Sequence, residues 1–119
     1  MLLASQIFTV IVALLHVYFL VLEMFLWATP YGQKNFGRTA EQQEESKVLA
    51  ANQGLYNGFL AAGLAWTMYT GALDVRLFFL GCIVVAGIYG AATVSRKILF
   101  AQALPAGIAF VLTYVVAHV

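Results

Sequence analysis

The chain has 119 residues, of which 63% are hydrophobic and only 9% charged, and its formal net charge is +1. An ordinary soluble domain carries about 25% charged residues, and small domains bury the smallest share of their surface, so the composition excludes a water-soluble globule and points to lipid as the solvent. No basic patch with interleaved aromatics is present, which sets nucleic acid aside, and the single cysteine, Cys82, has no disulfide partner in the chain and no metal-ligand spacing around it, so it reads as a small apolar filler inside a helix.

Four segments meet the length of about 20 mostly apolar residues that a membrane-spanning helix needs. The first covers residues 3–28. It lacks Lys or Arg before its apolar run, and no acid appears before Glu23. That run is longer than the apolar core of about 7–15 residues in a cleaved signal, so a retained membrane helix is expected. Pro30 and Gly32 end it, and Gly37 permits another turn before the next helix.

Thr39-Ala40-Glu41-Gln42 matches a capping box, a threonine followed three residues later by glutamine. The second helix therefore runs from 40 to 71, with only 48–71 in the bilayer and its first turns in the cytoplasm. Glu41, Glu44 and Glu45 lie near the positive end of the helix dipole, where acids are favoured, and read as a solvated extension, with Gln43 facing Lys47. The third helix covers 75–94 and the fourth 98–117. Pro105 removes a backbone donor and crowds the carbonyl of Ala101, which predicts a kink.

The fold class is thus all-α, a single transmembrane domain over 1–119 built as a four-helix bundle. The links at Asp74 and at 95–97 are short and make neighbouring helices antiparallel. Lys34, Arg38, Lys47, Arg96 and Lys97 flank one side of the membrane, against Arg76 on the other. By the positive-inside rule the 29–47 and 95–97 links lie in the cytoplasm and both termini outside, in the cell inner (plasma) membrane. Trp27 and Tyr31 fall where an aromatic belt sits. Close helix approach matters most where lipid removes the hydrophobic drive. Ala50, Gly54, Gly58 and Ala62 supply such a stripe on the second helix, Ala86, Gly87, Gly90 and Ala91 on the third, and Ala103 and Gly107 on the fourth. These are packing seams within the chain, with a homo-oligomer seam as the alternative.

The polar residues inside the apolar segments are few. His16 and Glu23 are seven residues apart and share one face of the first helix. Asn52, Gln53, Tyr56 and Asn57 occupy an arc of about 140° on the second. Tyr89 comes from the third helix and Gln102 from the fourth. At about 1.5 Å per residue these groups reach similar depths from the cytoplasmic ends, with His16 deepest, and the outer half has little comparable. A polar pocket inside the membrane, open to the cytoplasm, is expected. A carboxylate in a membrane helix costs about 2.5–3.5 kcal/mol on insertion scales and usually faces the bundle interior or a pathway. Glu23 is therefore the candidate proton-exchanging group and His16 its relay, while Asn52, Gln53, Tyr56, Asn57, Tyr89 and Gln102 are candidate ligand-orienting groups. No nucleophile triad or phosphate loop can be assembled, and two histidines on separate faces hold neither haem nor zinc, so neither a metal nor a cofactor is expected.

Three stretches carry a resemblance: His16 to Tyr18 with Leu22 to Trp27 and Thr29-Pro30; Ala51-Asn52-Gln53-Gly54-Leu55-Tyr56-Asn57-Gly58 through Leu64; and Phe78 to Cys82 with Ala86 to Ala91. Together they resemble a family of small bacterial four-helix integral membrane proteins described only as a domain of unknown function. The resemblance covers nearly the whole chain and implies four membrane helices, with no activity attached. Three roles follow from the residues. The first is binding of, or action on, a small lipid-soluble molecule. The second is proton-coupled transport through Glu23, a layout shared with small four-helix multidrug exporters by analogy only. The third is a structural or partner-binding subunit in the bilayer.

Overall fold

The computed structural model describes all 119 residues and is wholly helical. Its elements in order are α1 (Leu2–Met24), α2 (Pro30–Phe36), α3 (Ala40–Thr70), α4 (Leu73–Thr93), a π-helical turn (Leu99–Ala103) and α5 (Leu104–Ala117). Three helices are long and apolar enough to cross a membrane: Leu2–Met24, Leu73–Thr93 and Leu99–Ala117, the last made of the π turn and α5. The 31-residue α3 is longer than any of them but is not among the three. Asn52, Gln53 and Asn57 fall within its apolar half and offset the leucines and alanines around them. The chain forms two compact units, Met1–Leu15 with Ala61–Val119, and His16–Leu60.

In the His16–Leu60 unit, α1 stops at Met24, and Thr29-Pro30 starts a short helix where the sequence suggested only a break. Thr29 caps α2, its hydroxyl oxygen accepting from the Gly32 N–H at 3.4 Å, and Pro30 occupies the first turn, where its missing N–H costs nothing. Gly37, with φ of 60°, closes α2 in the left-handed conformation that favours glycine. Thr39 and Gln42 then form both bonds of the capping box. The Gln42 N–H donates to the Thr39 hydroxyl at 3.2 Å, and the Thr39 N–H donates to Gln42 Oε1 at 3.1 Å. Glu41, Glu44 and Glu45 are exposed. Lys47 pairs with Glu44, not with Gln43 as the sequence suggested.

Small residues bring α1 against α3 in this unit. A methyl group built on Gly54 would stand 2.7 Å from Met24 Cγ and 3.1 Å from Glu23 Cβ, and one on Gly58 would stand 2.5 Å from Leu20 Cδ1. The glycines of the stripe are thus covered by the chain's own side chains.

In the other unit, Gly81, Gly87 and Gly90 of α4 lie against Phe110, Ala103 and Ile98. Residue numbers rise along one element as they fall along the other. At Gly87 an added methyl would meet Ala103 N and Cβ, both at 2.8 Å, so backbone rather than a flexible side chain sets that spacing. The kink expected at Pro105 takes the form of the π turn just before it, in which the Leu104 N–H donates to the Leu99 carbonyl. A π turn next to proline relieves the clash and the missing donor together. Cys82 lies within α4 as expected, but on its exposed side and not as a filler.

Candidate functional site

The end of α1 brings Glu23 to α3, because Gly54 and Gly58 let the two helices approach closely at Leu20, Glu23 and Met24. Asn57 Nδ2 donates to Glu23 Oε1 at 2.5 Å. Asn57 is only 6% exposed. The Glu23 carboxyl has no basic partner, the ion pair of the chain being Lys47 with Glu44. A groove of about 580 Å³ opens beside it, walled on one side by Glu23 to Phe25 and Trp27 to Thr29, and on the other by Glu44, Lys47, Val48, Ala51, Asn52 and Leu55. Its lining is mostly apolar, with Glu23 and Asn52 within it and the Lys47–Glu44 pair at one edge.

Two clamps hold the Trp27 wall. Trp27 Nε1 donates to the Ser46 hydroxyl at 3.0 Å, and its ring lies 4.6 Å from that of Phe36. Gln43, fully buried, donates from Nε2 to the Trp27 carbonyl at 2.9 Å and to the Gly32 carbonyl at 3.4 Å. Gly32 is required here, because a Cβ would collide with the carbonyl oxygens of Leu26 and Trp27. Gln43 was legible only as part of an acidic, solvated run. The signal that it is different is its place on the α3 face eleven residues before Gly54, which is three helical turns.

The other expected site residues are distributed differently. Asn52 lines the groove and donates to the Val48 carbonyl of its own helix at 3.2 Å. Gln53 is exposed, and Tyr56 is 57% exposed with its ring 6.0 Å from that of Phe59. Neither lines the groove. His16 is fully buried, its ring edge-on to Phe19 at 5.2 Å, and is not part of the lining. Tyr89 is 71% exposed and Gln102 half-buried; both belong to the other unit.

That unit holds a polar set the sequence did not single out. Ser5, Thr9, Thr67, Arg76 and Thr113 are all buried there, in stretches expected to have little polar content. Arg76 Nη2 donates to the Thr67 carbonyl at 2.9 Å and Nε to the Thr67 hydroxyl at 3.2 Å, while Nη1 makes no hydrogen bond. Thr113 Oγ1 also makes none. The α4–α5 register set by Gly81 and Phe110 brings Thr113 to within about half a turn of the level of Arg76. The hydroxyls of Ser5, Thr9 and Thr67 donate back to carbonyls three or four residues earlier, each at 2.7 Å.

Residues 10–114 match the family described as "Protein of unknown function (DUF1304)". The chain is similar to the "Uncharacterized protein YpaA" of Lactococcus lactis subsp. lactis (strain IL1403), with 31% identity over 100 residues, covering 81% of this chain and 84% of that protein. No solved structure matches the chain. The matched span takes in α2, α3, α4 and the whole groove, and the chain belongs to the DUF1304 family.

Proposed function

We propose that this protein is a multi-pass membrane protein whose groove beside Glu23 binds, or acts on, a small lipid-soluble molecule. In this reading α1, α4 and the Leu99–Ala117 span are joined by the 48–70 part of α3 in an antiparallel four-helix bundle. The start of α3 extends into the cytoplasm, and the polar groove opens at the cytoplasmic boundary of the inner membrane. The five-to-one excess of Lys and Arg around the 29–47 and 95–97 links supports that orientation. In a Cys82→Ala background, a membrane-impermeant maleimide added to intact cells is expected to label Thr70→Cys and not Lys34→Cys. The opposite pattern reverses the topology.

One observation carries the functional reading. Glu23 lies in a helix apolar enough to span a membrane, is held by Asn57, has no basic partner, and lines an open groove. A carboxyl group in such a helix costs about 2.5–3.5 kcal/mol, and packing alone gives no reason to retain it. The groove is of the size of small-molecule sites, which run from about 300 to 1,000 Å³ and combine apolar walls with a few polar groups. Native mass spectrometry of protein gently extracted from its own membrane tests this. Wild type is expected to retain a small molecule that Glu23→Gln and Asn57→Ala lose while still folded. Retention of the same molecule by all three variants removes Glu23 from the site.

A further inference from the structure

The charges around the groove are not balanced. Its lining holds two acids, Glu23 and Glu44, and one base, Lys47. Lys47 is already paired with Glu44, which leaves the Glu23 carboxylate as the unmatched charge. Asn57 engages only Oε1 of that carboxylate. An amide donor satisfies one oxygen without supplying charge, so the second oxygen is left for a ligand, and a cation placed there would favour the ionised form of the group. Apart from Thr29 and Asn52 the rest of the wall is apolar or aromatic, with Phe25 and Leu55 in it and the Trp27 ring beside Glu23's own helix end. Trp27 is also held in place, through Ser46 and Phe36. A fixed indole is the best of the aromatic rings at attracting a cation. The opposite choice of ligand is disfavoured, because an anionic headgroup would stand beside the Glu23 carboxyl while Lys47, the one base of the lining, is already paired with Glu44.

We infer that the groove accepts a lipid-soluble organic cation, an amphiphilic amine or quaternary onium ion, with its positive centre against Glu23 and its apolar body along Phe25, Trp27 and Leu55. This rests on the proposed role of the groove and adds the charge class of its ligand. The cation supplies the counter-charge that the chain itself does not, which gives the groove selectivity by charge rather than by shape.

The test uses two probes of one shape and opposite charge, tetraphenylphosphonium and tetraphenylborate. Binding is read from Trp27 fluorescence in a Trp66→Phe background, in detergent micelles, with partition into protein-free micelles subtracted. The phosphonium is expected to bind at least about tenfold more tightly than the borate, the scale of one well-placed charge and ring contact. Glu23→Gln, which keeps shape and removes charge, is expected to bring the two probes within about threefold of each other, and Glu23→Asp to preserve the preference. Circular dichroism melting of each variant separates lost charge from lost fold. Equal or tighter borate binding overturns the inference, as does a phosphonium preference that survives Glu23→Gln. If native mass spectrometry finds a neutral or anionic molecule lost with Glu23→Gln, the groove reading stands and only the cation assignment falls. If neither probe binds saturably and no molecule is retained, both fall.

Discussion

Arg76→Ala is expected to lower the unfolding free energy by about 2–5 kcal/mol, the range for emptying a large buried site, while Arg76→Met stays within about 1.5 kcal/mol of wild type. The reasoning starts from burial. Arg76 is 2% exposed and is the largest of the fully buried side chains. Its guanidinium lies at the last turn of α3, where Thr67 presents its carbonyl and hydroxyl. A helix C-terminus carries partial negative charge and favours a cation, which offsets part of the cost of burying this one. The offset is incomplete, because Nη1 makes no hydrogen bond and no acid pairs with the group. The carbonyl of Thr67 also has a second donor, the Gly71 N–H at 2.9 Å. Methionine keeps most of the volume, leaves that carbonyl bonded, and removes both the buried charge and its unbonded nitrogen. Replacing a buried charge with a well-packed apolar group is often neutral or stabilising. Alanine removes the volume as well. Thermal unfolding in detergent micelles distinguishes the two. If methionine is as damaging as alanine, the bonds to Thr67 outweigh both the packing and the desolvation cost.

The same residue shows where a sequence stops being legible. Arg76 counted only as the single positive charge on its side of the membrane, since nothing local marks it as buried. Its partner is nine residues back, across the turn at Gly71, and its burial depends on how α3 and α4 meet. The lengths of the apolar runs, by contrast, are local properties, and so is the Thr39–Gln42 cap. The cap was readable because capping depends on neighbours within a turn, and three of the four expected spans were readable because run length is a property of consecutive residues, whereas the polar residues inside 48–71 keep α3 from qualifying. The start of α2 was also local but carried two meanings. A Thr-Pro pair can end one helix or begin another; here α1 has already stopped at Met24, and Thr29-Pro30 begins α2.

The candidate site divides in the same way. Glu23 and Asn57 come together because both lie close to the Gly54 face that α1 packs on. At 100° per residue, Asn57 stands about 60° from Gly54 and Tyr56 about 160° from it. Similar depth and a shared arc of about 140° made these two residues look equivalent, but their rotation relative to the small-residue stripe separates them. Read as the inward face, the stripe identifies Asn57 and sets Tyr56 outward. Tyr89 faces outward too, on α4, where the Gly87 face is turned to Ala103.

The wall of the groove depends on one side chain that the local pattern conceals. Gln43 holds the carbonyls of Trp27 and Gly32 with one amide nitrogen, so it ties the 25–29 turn and the first turn of α2 to α3. Removing a buried donor leaves its acceptors unsatisfied, at a cost of about 1–3 kcal/mol. Gln43→Leu keeps the volume and loses the donor, and its expected penalty lies in that range. Gln43→Glu is the more severe change. An ionised carboxylate has no donor and would face two carbonyl oxygens, so repulsion adds to the lost bonds. The expected consequence is local. Hydrogen exchange followed by mass spectrometry should quicken across 25–36 in Gln43→Leu, more so in Gln43→Glu, and remain unchanged in 81–93 and 104–112. The lost tie should also weaken retention of any groove ligand, since Trp27 and Thr29 form one wall and Val48 and Leu55 the other. Exchange that rises equally throughout the chain would mean that Gln43 supports the fold as a whole. Exchange that does not change at 25–36 would mean that Ser46 and Phe36 hold Trp27 without it.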